Sequence, residues 1–499
     1  MRIRIALLAC ILTLFGCGGG NGSLTTYTVS GTVDHLSSPG LTLTNGATTI
    51  AVAAGATHFA FPDQLTNGAA YQISVASQPG GENCAISQGG GTVAGANVGN
   101  IDVACNTVIS SPTAVGIYPV ATAPDGYPRA YVPVTMVGNN PVSINATLDT
   151  VSAGVVLNAF DVVPSSMVSI NGFNFPAGQS TITYNGITVT NNVMTTYLNG
   201  QGAGINFGLG LLFGASSTNG PLIRATGNLA YAQVTFGSAG DVTTAVLPIL
   251  LVYQVSTSAN GTALPSTVAS NVFGVGGTFT PIGPLTGTFV YPAGTCATPP
   301  GSSNACGLLS PLRSVSFSSN VDPGFLLAPL ALQNCQIGTP GSCAAMPSLT
   351  VGVNATTTQA LGFANGWTSN TGCATLTLTY VPPASVECST YISDLTTLYF
   401  DNHGSETRAL LDTTNSGMTL GTLDAGFPST IAAGTQVTIQ FGIAIRGNLA
   451  DVYTYSFTAG TGAYTTTILP TTNLNDIGIG FFTTHRYYMD YQMGQFGWV

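Results

Sequence analysis

The stretch RALLDTTNSGMTL (408–420) is an apolar run that breaks on Asp412 and Thr413 and then resumes. An earlier stretch, NATLDTVSAGVVL (145–157), repeats the pattern, aligning Leu148 with Leu411, Asp149 with Asp412, Thr150 with Thr413, Gly154 with Gly417 and Leu157 with Leu420. With only 18 acidic residues in 499, this recurrence points to an internal duplication built around an Asp-Thr pair. Two carboxyls held together cannot both ionise comfortably, so one keeps a proton while the other acts as base. Such a pair can polarise a carbonyl and activate a water without a covalent intermediate. The alternative is that each aspartate is a turn residue whose carboxylate caps local N–H groups.

Each copy has a partner segment further along, SNVFGVGG (270–277) after the first and LNDIGIGFF (474–482) after the second. Both read as apolar segments in which a glycine, an apolar residue and another glycine follow one another. A glycine among apolar residues permits close backbone approach, so such a strand can cross beneath another loop.

These paired motifs, taken in order, resemble the pepsin-like aspartic proteases, with two β-lobes and one catalytic aspartate from each. GNLAYAQVTFG (227–237) resembles the strand after the first-lobe flap, and LTVGVNATTTQALGF (349–363) the opening of the second lobe. TLYFDNHGSETRALLDTTNSG resembles the hairpin that delivers the second aspartate, and FFTTHRYYMDYQMGQFGWV the closing strands. More narrowly, the chain resembles an uncharacterised family of bacterial lipoproteins with a two-lobed pepsin-like core, a domain of unknown function. The likeness spans residues 110 to 499.

The resemblance implies that Asp149 and Asp412 are the dyad, that the hydroxyls of Thr150 and Thr413 tie each loop to the opposite one, and that Ser152 supports a carboxylate from outside. The sequence departs from the family's Asp-Thr-Gly-Ser/Thr pattern at Val151 and Thr414, which replace the glycines, and at Asn415, which replaces the second outer hydroxyl. A β-branched residue restricts the backbone and χ1 where glycine does not. Nor is there an aromatic residue in STNGPLIRA, where a flap tyrosine is expected. The leading expectation is a peptide-binding or weakly catalytic site in an interlobe cleft. An active acid-pH aspartic endopeptidase and a purely structural or adhesive surface protein are the alternatives.

The rest of the chain has to position these loops. Only 5% of residues are charged, lysine is absent, and glycine is abundant. Such a chain builds strands and turns more readily than helices. No 3.6-residue apolar period persists for three turns, so the expected class is all-β with at most one-turn helices. Short strand-like runs punctuated by turn signals predict an immunoglobulin-like β-sandwich over residues 27–106. The longer remainder divides into lobes over 110–310 and 311–499. A net charge of −10 with no basic stripe argues against nucleic-acid binding. Runs such as TTAVLPILLVYQV, apolar on both faces, argue against an outer-membrane barrel with its polar lumen.

The first residues, MRIR followed by IALLACILTLFG, form a basic and then an apolar region of export-signal length. Leu14, Gly16 and Cys17 resemble a bacterial lipobox, which implies cleavage before Cys17, its lipidation, and attachment to the outer membrane. Ordinary secretion with a free Cys17 is the competing reading. Residues 18–26 form a flexible tether. The other exported cysteines fall into neighbouring pairs, Cys84–Cys105, Cys296–Cys306, Cys335–Cys343 and Cys373–Cys388, read as local disulfides. No pair has zinc-ligand spacing, so neither a metal nor another cofactor is expected.

Minor candidates are set aside. GLGLLFG (208–214) is a turn or packing segment rather than a nucleotide loop. His403 and Ser405 fall in a hairpin turn with no nucleophile elbow. His485, beside Arg486, is expected at a solvated corner.

Overall fold

A computed structural model describes residues 25–198, 223–257, 263–264, 271–277, 280–284, 306–339, 341–354, 374–375, 386–387, 392–400, 403–421, 431–445, 448–460, 462–469, 474–492 and 495–498. The export signal, Cys17, most of the tether and the GLGLLFG segment lie outside them, as does at least one cysteine of the Cys296–Cys306 and Cys373–Cys388 pairs.

The molecule is all-β, an N-terminal sandwich followed by a two-lobed β domain. The described α-helices, Ala159–Val162 and Ile479–Phe482, are single turns of four residues each. In the sandwich, strand Val29–Asp34 alternates buried and half-buried positions, as a period-2 pattern requires. It pairs in parallel with Val98–Ile109, which pairs antiparallel with Glu82–Ser87. The second sheet is built on Thr42–Asn45 and Ala70–Ser77, and between the sheets lie Val29, Leu41, Leu43, Phe59, Ile73 and Val103. Cys84 and Cys105 face each other in register and are disulfide-bonded, as are Cys335 and Cys343.

The sandwich is docked on the domain that follows. Strand Val98–Ile109 continues out of it to pair with Ser316–Phe317. The His35 ring hydrogen-bonds the Gln233 side chain at 2.8 Å, and Gln233 donates onward to the carbonyl oxygens of Cys105 and Thr244.

An eighteen-stranded sheet system carries the first lobe and extends into the base between the lobes. In that base Thr113–Val120 pairs with Met346–Val353, which continues through Asp322–Leu327 to the closing strands Tyr487–Asp490 and Gln495–Trp498. A separate seven-stranded sheet forms the second lobe, including the hairpin of Ile392–Phe400 and His403–Leu411 that ends at Asp412.

His485 is not at a solvated corner. It is 9% exposed, its ring stacked on Phe481 at 4.2 Å and met edge-on by Tyr455 at 5.4 Å. Its Nδ1 lies 3.0 Å from the Phe481 carbonyl oxygen. The one-turn helix Ile479–Phe482 folds the chain back on itself and turns this ring inward. Burial lowers the His485 pKa and favours the neutral imidazole.

Candidate functional site

The two Asp-Thr loops are built by the same local rule. Strand Asn140–Asp149 delivers Asp149, the chain turns, and Ala153–Asn158 leads away. Strand Val272–Val275 runs between these two arms, parallel to the first (Leu148 opposite Phe273) and antiparallel to the second (Gly154 opposite Gly274). In the second lobe, Leu474–Ile477 lies parallel to His403–Leu411 and antiparallel to Met418–Gly421.

The glycines expected to allow close crossing are where the backbones meet. A Cβ at Gly274 would stand 2.7 Å from the Ser152 carbonyl oxygen, and one at Gly478 would fall on the carbonyl oxygens of Gly417 and Asn415. The reading of LNDIGIGFF as apolar needs correction, because Asp476 stands in the middle of its strand and is 4% exposed.

The two loops meet through their threonines. Thr150 Oγ1 donates to the Leu411 carbonyl oxygen at 2.7 Å, and Thr413 Oγ1 donates to that of Leu148 at 2.6 Å. Each hydroxyl also accepts from the other threonine's backbone N–H, at 3.1 and 3.2 Å. Both threonines are fully buried, so every group in this four-bond exchange depends on the opposite lobe.

Asp149 and Asp412 each precede one of these threonines and are 1% and 4% exposed. Asp149 Oδ1 accepts from the N–H groups of Val151 (2.9 Å) and Ser152 (2.8 Å). Asp412 Oδ1 accepts from the Thr414 N–H and the Thr414 hydroxyl, both at 2.7 Å. The backbone caps of the turn-residue reading and the interlobe tie of the paired reading thus coexist.

The departures from the family pattern are accommodated. Neither Val151 nor Thr414 has a positive φ, which outside glycine is confined to His35, Gln88 and Asn185 among the described residues. Both keep the backbone donor that the glycine would offer. The Thr414 hydroxyl also supplies an oxygen-bound donor to Asp412, which Asn415 does not. The Asn415 side chain instead donates to the Asp476 carbonyl oxygen at 2.9 Å and accepts from the Gly417 N–H.

Two further residues act on this site. Arg129 opens strand Arg129–Val137 and is fully buried. Its Nη1 donates to the Thr414 carbonyl oxygen at 2.9 Å, while Nε and Nη2 bond Asp125 Oδ2 at 3.1 and 2.9 Å. Asp476 is a third buried carboxyl whose Oδ1 has no hydrogen-bond partner among the described residues.

Burial raises the Asp412 pKa, against the lowering effect of the Thr414 hydroxyl and N–H, the Arg129 charge and the Asn415 N–H. Asp476 is pushed well above the ordinary carboxylate value, first by burial and then by the negative charges of Asp412 and Asp149, with the Asn415 side chain opposing. Of Asp412 and Asp476, it is therefore Asp476 that is the more disposed to keep its proton. Asp476 had a sequence signal, an acid inside an apolar glycine-punctuated segment. Arg129 had none beyond being a rare cation.

No protein-family model matches the chain, and no curated protein matches it. Among solved structures, the aspartic proteinase from Irpex lacteus is similar to it at 14% sequence identity and a TM-score of 0.40, the alignment covering 78% of this chain and 97% of that one.

Proposed function

We propose that this is a cell-envelope lipoprotein, held on the outer membrane through Cys17, whose two lobes bind an extended peptide over the Asp149–Asp412 pair and hydrolyse it slowly. The reciprocal Thr150–Thr413 exchange carries this reading. It ties the turn that follows Asp149 to the turn that follows Asp412 through buried hydroxyls, an expensive arrangement for turns with no joint task. One shared proton would let one carboxyl polarise the scissile carbonyl while the other activates water. Peptide binding is favoured over fast turnover because Val151 and Thr414 put side-chain bulk where the family pattern has none.

The test is binding of a statine-containing peptide, a mimic of the tetrahedral transition state, by calorimetry across acidic and neutral pH. The parent should bind, and Asp149→Asn and Asp412→Asn should each lose at least ten-fold in affinity. Equal binding by parent and variants, or none at any pH, would sink the reading.

A second reading, an active acid-pH endopeptidase, is favoured by the unstrained Val151 and Thr414 and their retained donors. Under it the parent digests denatured protein at acidic pH and Asp412→Asn does not. Equal digestion by both rules it out.

A further inference from the structure

We propose that Arg129 is a positioning residue of this site. It reaches out of the first lobe to hold the Thr414–Asn415 peptide behind Asp412, and its charge biases Asp412 toward the ionised, base-acting member of the pair. This rests on the peptide-site reading above.

The geometry is a clamp on one residue. Arg129 Nη1 holds the Thr414 carbonyl oxygen at 2.9 Å, and Thr414 itself donates its N–H and its hydroxyl to the Asp412 carboxylate, both at 2.7 Å. A residue held from behind by a buried cation keeps both donors aimed at the carboxylate. The guanidinium fork bonds Asp125 through Nε and Nη2, while Nη1 holds the carbonyl oxygens of Thr414 and Pro128.

Among the described residues, the other titratable groups bearing on the site are carboxyls: Asp149 from the opposite loop, Asp476 from strand Leu474–Ile477, and Asp125 on the far side of the guanidinium. Arg129 is thus the cationic counterweight in an otherwise acidic cluster.

The closing experiment follows binding of the statine-containing peptide against pH. Arg129→Met keeps the length without the charge and should move the acid limb of the profile up by about one pH unit. Arg129→Lys keeps the charge and should restore most of that shift. Asp125→Asn leaves the guanidinium unbalanced and should move the limb the opposite way, which a merely structural role would not do. Unchanged profiles in Arg129→Met and Asp125→Asn overturn the proposal, as do shifts of the same sign.

Should the parent bind no peptide, the site reading fails, and a double-mutant cycle of Arg129→Met with Asp412→Asn decides on Arg129 alone. Coupling in urea unfolding at pH 7 that disappears at pH 3 supports the electrostatic role. Zero coupling at pH 7 overturns it.

Discussion

Thr150 and Thr413 each donate a hydroxyl hydrogen to a carbonyl of the opposite lobe and accept the other's backbone N–H, so neither loop is satisfied alone. Thr413→Val keeps the shape and removes the hydroxyl, leaving the Leu148 carbonyl and the Thr150 N–H unmatched. A buried group left without a partner costs about 1–3 kcal/mol. We expect a drop of that size in urea-unfolding stability, reversed by Thr413→Ser. Combined with Thr150→Val the loss should be smaller than the sum of the two, because both variants break one network.

Asp476 should make the protein less stable as pH rises. Its folded pKa lies well above the ordinary 3.8, so the favourable contribution of its neutral form is fully present below that value and is lost as pH climbs toward the folded pKa. Asp476→Asn imposes the neutral state permanently. The variant should match the parent near pH 3.5 and exceed it at pH 7 by about 1–3 kcal/mol. A variant less stable than the parent at both pH values would contradict the protonated assignment.

His485 works in the other direction. Its folded pKa is below the ordinary 6.5, so the stability from keeping it neutral is present above that pH and erodes as pH falls through the folded value. His485→Phe retains a ring for Phe481 and Tyr455 and cannot charge. Parent and variant melting temperatures should converge near pH 8 and separate below pH 6, the variant being the more acid-resistant.

Gly478 tests the crossing of strand and loop. A methyl group there meets two backbone carbonyl oxygens, Gly417's and Asn415's, neither of which can swing aside as a side chain would. Gly478→Ala should cost about 3 kcal/mol, the upper end of overpacking. Because the strain falls on the Asp412 loop, binding of the statine-containing peptide should weaken as well, by at least ten-fold.

The amino-acid sequence by itself determined the all-β class, the short N-terminal sandwich, the pairing of Cys84 with Cys105 and of Cys335 with Cys343, and the existence of two like Asp-Thr loops with glycine-punctuated partners. Each depends on local information: a two-residue period, a turn signal, a repeated word, cysteines close along the chain. Tertiary structure decided what depends on distant neighbours. His485 reads as exposed beside Arg486 until Phe481 and Tyr455 close around it. Thr414 reads as a lost glycine until its hydroxyl is found on Asp412, and Arg129 as a stray cation until its fork spans Asp125 and Thr414. Asp476 was visible in the sequence, yet its protonation is set by burial and by carboxylates from both lobes. Hydrogen bonding and desolvation act over a few ångströms in space, whatever the distance along the chain. A repeated motif can therefore announce a site, while the charge state of that site is settled only by the fold that encloses it.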